Sequence, residues 1–166
     1  MRLCAILFAP LLLAFVVTAD VPGRFDSGVW QGTANFDDEG LFSDCLMTAE
    51  AEAGVLLGFV ISKDFDWGLV IADETRRFKV GTNKAVMLFV DGHEPIAAVA
   101  KVVDVHGILI PLEYTDAVIE TMRTDKVLRI ATDQTEFSFR LTGTGDAIAA
   151  LAACVAEHQG TNRVEL

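Results

Sequence analysis

The stretch Thr135-Glu136-Phe137-Ser138-Phe139-Arg140-Leu141-Thr142-Gly143-Thr144-Gly145-Asp146-Ala147-Ile148-Ala149-Ala150-Leu151-Ala152-Ala153-Cys154-Val155-Ala156-Glu157-His158 changes its apolar period half-way along. In its first part Phe137, Phe139 and Leu141 alternate with Glu136, Ser138 and Arg140, the pattern of a strand with one face buried. In its second part Ile148, Leu151 and Val155 recur at i, i+3 and i+7 with alanine between them, which predicts a helix over Thr144 to His158 stopped by Gly160. Thr144 is expected to cap that helix. Cys154 lies three residues past Leu151 and so near the inner face.

Working outward, short strands predominate. Residues 127–131 and 135–141 read as a hairpin around Asp133-Gln134, and Val55, Leu57, Phe59 and Ile61 share one face of a strand over 54–62. Further strands are expected over 29–36 around Trp30, over 45–52 and over 67–72, separated by the turns Asp37-Asp38-Glu39-Gly40 and Asp64-Phe65-Asp66. Phe78 and Val80 alternate with Arg77 and Lys79 in the same style. Residues 85–90 form a continuous apolar run expected to be buried on both faces, and 96–105 and 107–112 are two more β-branched runs. Residues 20–28 read as a polar arm. Thr115 to Arg123 places Val118, Ile119 and Met122 at helical spacing behind the N-cap Thr115. The fold class is therefore α+β: mainly an antiparallel β-sheet or sandwich with two short helices, the second C-terminal.

The 166 residues carry 24 acidic side chains against 13 Lys plus Arg, a net charge of −11. So acidic a chain repels phosphate backbones, and its cations, Arg24, Arg76 and Arg77 among them, look scattered, so nucleic acid is not an expected partner. Just over half the residues are apolar, which excludes intrinsic disorder. Met1-Arg2, the apolar run Leu3 to Val17 broken by Pro10, and Val17-Thr18-Ala19 before Asp20 have the form of a secretory leader over 1–19, leaving one β-rich domain over 20–166. A membrane anchor is the competing reading; Pro10 interrupts the run such an anchor needs, and no transmembrane segment is expected in the mature chain. The expected location is periplasmic or secreted. Cys4 leaves with the leader, and Cys45 and Cys154 remain in an oxidising compartment, where a disulfide closing a loop of about 110 residues would restrict the unfolded chain by about 4–5 kcal/mol.

The run from Phe137 through Gly143-Thr144-Gly145 into the alanine-rich helix with Cys154 resembles the closing motif of the invasion-associated locus B proteins, small exported proteobacterial proteins. Early Trp30 and Cys45, many strands, a helix near residue 118, and a last strand and helix follow the same order. The resemblance implies a β-rich exported domain, and it brings no catalytic residues with it. The chain departs from that family's pattern in having no cysteine between Cys45 and Cys154.

Chemistry-bearing motifs are sparse. Gly143-Thr144-Gly145 before a helix lacks the third glycine and the lysine of a phosphate loop. Asp64-x-Asp66-x-Gly68 and Asp37-Asp38-Glu39 supply oxygens without the ligand series of a calcium loop, and read as acidic turns. His93, His106 and His158 are not spaced as a metal pair, and no serine sits in Gly-x-Ser-x-Gly; neither a metal nor a cofactor is expected. Trp30, Trp67 and Tyr114 are candidates for a ligand cleft, with core or rim positions the preferred reading. The leading expectation is a non-enzymatic binding, accessory or inhibitor domain, with a basic protein or a small ligand as partner. The alternatives are a small secreted hydrolase using acidic residues and a structural envelope protein. No catalytic or ligand-binding residue is singled out.

Overall fold

Alternation of apolar and polar residues along ten short segments gives each a face to bury, and the backbone groups are satisfied by pairing every segment with its neighbours. The computed structural model describes residues 23–51, 54–113, 115–133 and 135–159. The leader expected over 1–19 lies outside them, as do Tyr114 and Gly160. The strands are β1 (Arg24–Ser27), β2 (Trp30–Phe36), β3 (Phe42–Glu50), β4 (Val55–Ser62), β5 (Trp67–Asp73), β6 (Asn83–Val90), β7 (Ile96–Val102), β8 (Gly107–Leu112), β9 (Val127–Ala131) and β10 (Glu136–Arg140). The helices are α1 (Asp116–Met122) and α2 (Thr144–His158).

All ten strands belong to one antiparallel sheet in the order β1-β2-β3-β4-β5-β8-β7-β6-β9-β10. The expected α+β class, with its second helix at the C-terminal end, is what the chain adopts. Cross-strand partners share a face, so the pairs Met47↔Phe59, Phe59↔Leu69 and Leu69↔Ile110 carry one apolar row through four strands. These four side chains are fully buried. The sheet curls, bringing its last strand back to its second: the Trp30 indole Nε1 donates to the Thr142 carbonyl at 3.0 Å.

Helix α2 lies on β1 to β4 and buries Ala147, Ile148, Leu151, Cys154 and Val155 against them. Each large aliphatic side chain so buried contributes about 1.5–3 kcal/mol. The helix covers the expected span, but Thr144 is not its cap. Gly143 takes that position at φ +73°, while Thr144 is turned inward, fully buried, its hydroxyl donating to the Leu141 carbonyl at 2.9 Å. The reversal from strand to helix needs a left-handed residue, which glycine adopts without a Cβ penalty. At α1 the expected cap holds: Thr115 Oγ1 accepts from the Val118 N–H at 3.3 Å.

Three other local readings are corrected. The arm over 20–28 contains β1, which pairs with β2 and seats the Phe25 ring against the bare backbone of Gly32, where an added Cβ would clash. Residues 85–90 are not buried on both faces, because Ala85 and Met87 face outward while Val86, Leu88 and Val90 face the core. Phe78 and Val80 form no strand; residues 74–82 cross as a loop, with the Phe78 N–H donating to the Val105 carbonyl at 2.8 Å. For β1 and for the 74–82 loop the deciding partner lies elsewhere in the chain.

Candidate functional site

Cys45 on β3 and Cys154 on α2 are both buried and form a disulfide with Cα atoms 6.3 Å apart. His158 stands beside it: its Nδ1 donates to the Cys154 carbonyl at 2.9 Å, and its ring stacks on Phe42 with centroids 5.8 Å apart. Donor atoms of Cys45, Cys154 and His158 lie within 4.8 Å of one another, the geometry of a small metal cluster. The two sulfurs are bonded to each other, which leaves no thiolate to bind an ion, so the cluster acts as a staple.

The other motifs resolve into local structure. Asp37 Oδ1 accepts the N–H groups of Glu39 and Leu41 at 3.0 and 2.9 Å, closing its own turn. Ser62 Oγ does the same for Asp64 and Asp66 at 3.2 and 3.1 Å, and Gly68 sits inside β5 rather than in the loop. The histidines are kept apart: His93 bonds Thr121 Oγ1 at 3.2 Å, and His106 Nδ1 donates to the Arg76 carbonyl at 2.7 Å. Trp30 and Trp67 are core residues, with Trp67 Nε1 donating to the Glu113 carbonyl at 3.1 Å.

A different region emerges from the loop after β5. Asp73 closes that strand with a side chain only 2% exposed. Its Oδ1 accepts both the Thr75 N–H at 2.9 Å and the Thr75 hydroxyl at 2.6 Å, and its Oδ2 pairs with Arg76 Nε at 2.9 Å. Burial pushes the carboxyl pKa up, but the Thr75 bonds and the Arg76 charge outweigh it, and the pKa lies below the ordinary value. The Arg76 guanidinium also bonds Thr135 Oγ1 and lies over the Phe137 ring, 5.4 Å from its centroid. The loop is thereby held against β10.

Beside this clamp lies a groove of about 660 Å³ bordered by Arg76, Arg77, Lys79 and Lys84, with Phe78 and Phe137 in its wall. None of the described residues lining it is acidic. The expectation of scattered cations fails here: a loop three residues in four basic over 76–79 folds next to the start of β6. Along the sequence Arg77 and Lys79 only alternate with Phe78 and Val80 in the style of a strand. The available signal was the run Arg76-Arg77-Phe78-Lys79 in an otherwise acidic chain.

Neither a protein-family model nor a curated protein matches the chain. Among solved structures, the crystal structure of invasion associated protein b from Bartonella henselae has a similar fold, with a TM-score of 0.56 and 19% identity over 81% of this chain and 97% of that one. The resemblance carried by residues 137–154 is thus supported at the level of the fold.

Proposed function

We propose that this chain is an exported, disulfide-framed binding domain of the cell envelope. The observation that carries this reading is the buried Cys45–Cys154 bond between β3 and α2, because structural disulfides form and persist mainly in oxidising compartments. The leader-like run at 1–19 supports the same location. The fold is shared with a protein described as invasion associated, a description that suits a surface or envelope role.

Asp73, the buried carboxylate beside the groove, is not arranged as a general acid. A general acid needs a raised pKa and a free oxygen, whereas Asp73 is lowered and both its oxygens are engaged. A net charge of −11 suits long-range steering of a basic protein partner, with an on-rate that falls as salt is added. The same charge disfavours duplex DNA.

Fractionation of cells expressing the full chain tests the location. The mature form should appear outside the cytoplasm, begin at Asp20, and yield a Cys45–Cys154 linked peptide when mapped without reductant. Retention in the cytoplasm with both thiols free would overturn the reading. Cross-linking in the intact envelope should then trap a basic protein more efficiently at low salt than at high salt.

A further inference from the structure

We infer that the groove between the 74–82 loop and β10 is a binding site for an organic phosphate: a phosphate group attached to an apolar or aromatic body. This deepens the small-ligand side of the binding reading and rests on it. Charge is the first argument. In a chain of net charge −11, Arg76, Arg77, Lys79 and Lys84 surround one cavity. Arg76 is neutralised by Asp73. Among the described residues Arg77, Lys79 and Lys84 have no salt-bridge partner. Three uncompensated cations exceed what a single carboxylate balances and suit a phosphate, which guanidinium groups bind through paired N–H donors.

The wall supplies the second argument. Phe78 is half-buried in the wall, backed by the buried Phe137 and Ile108, so the cations stand around a partly apolar wall in which Phe78 is the exposed part. A ligand with an apolar or aromatic body gains from covering that surface, which inorganic phosphate cannot do. The cavity also falls within the size range of small-ligand sites, about 300–1,000 Å³.

The third argument is that the loop is already held. The Phe78 N–H donates to Val105, the Gly81 N–H to Val102 at 3.0 Å, and Thr82 Oγ1 to the Lys79 carbonyl at 2.7 Å. With the Asp73 clamp, these bonds fix the backbone that carries the cations before any ligand arrives, which lowers the ordering cost of binding.

Calorimetric titration of the oxidised protein with n-octyl phosphate, inorganic phosphate and octanol is the test, paired with sedimentation on phosphatidic acid vesicles. Octyl phosphate should saturate one site and bind at least about tenfold more tightly than inorganic phosphate or octanol. The charge reversal Arg77→Glu with Lys84→Glu should weaken it by about tenfold or more while the melting temperature is kept. Should that variant not fold, Lys79→Gln with Lys84→Gln must still weaken binding severalfold. Vesicle binding lost in the same variants assigns the phosphate to a lipid headgroup; octyl phosphate binding without vesicle binding assigns it to a soluble ligand. No saturable binding of either kind, or binding undiminished in both variants, overturns the site. A charge-reversed protein that still cross-links its envelope partner separates that failure from failure of the binding reading.

Discussion

The indole N–H of Trp30 donates to the carbonyl oxygen of Thr142 across 112 positions of sequence, joining β2 to the step between β10 and α2. This bond closes the curl of the sheet at its two ends. Trp30 is 1% exposed and its ring meets Phe59 edge-on with centroids 5.4 Å apart, so the same side chain fills the core and satisfies the carbonyl.

Trp30→Phe keeps most of the ring and removes the donor. It should lower stability by about 1–2 kcal/mol in urea unfolding, as expected for one lost buried hydrogen bond, whereas Trp30→Ala should cost about 3–5 kcal/mol by adding a cavity. Unchanged stability in Trp30→Phe would show that the hydrogen bond contributes nothing of its own.

Replacing Cys45 and Cys154 together by alanine should cost about 2–5 kcal/mol, and reductant should lower the melting temperature of the wild-type protein alone. Without the bond α2 is held by packing and by hydrogen bonds at its two ends, and amide exchange should quicken first in residues 144–158. An unchanged melting curve on reduction would count against the staple.

Asp73→Asn should cost about 1–3 kcal/mol at neutral pH, since the Asn amide cannot serve both Thr75 and Arg76 as acceptor. The pH dependence has a fixed sign. Because the folded carboxyl pKa is depressed, its contribution is complete above the unfolded value near pH ~4 and is lost as pH falls through the folded value. The variant should therefore show a flatter acid limb in a stability-against-pH series, and a limb parallel to wild type would refute the assignment.

Gly143→Ala should destabilise the start of α2 by about 1–2 kcal/mol, because the residue sits at φ +73°. Its N–H bonds Asp125 Oδ1 at 2.9 Å, so Asp125→Ala should loosen the same junction. Thermal unfolding of the two single variants and the double variant would show whether their effects couple.

Much of the fold was legible along the chain because its signals are local. The period of two in 54–62 and 135–141, the period near 3.6 in 144–158 and the cap at Thr115 depend on neighbours a few residues away, and they appear at or within a residue or two of the expected bounds. The pairing of Cys45 with Cys154 was legible from the expected compartment and the count of two cysteines beyond the expected leader.

What the tertiary structure decided are matters of distant partners. β1 is a strand because β2 offers it an edge over four consecutive residues, whereas residues 74–82 are bonded only at isolated points such as Phe78 to Val105 and form no ladder. Thr144 lost its capping role because the turn out of β10 required a left-handed glycine and left the threonine facing the core. The basic groove was written in residues 76–79 and 84, but charges spaced along a sequence become a site only when a loop is held against a sheet. Here one buried carboxylate, Asp73, and backbone bonds from Phe78 and Gly81 to the carbonyls of Val105 and Val102 hold that loop in place.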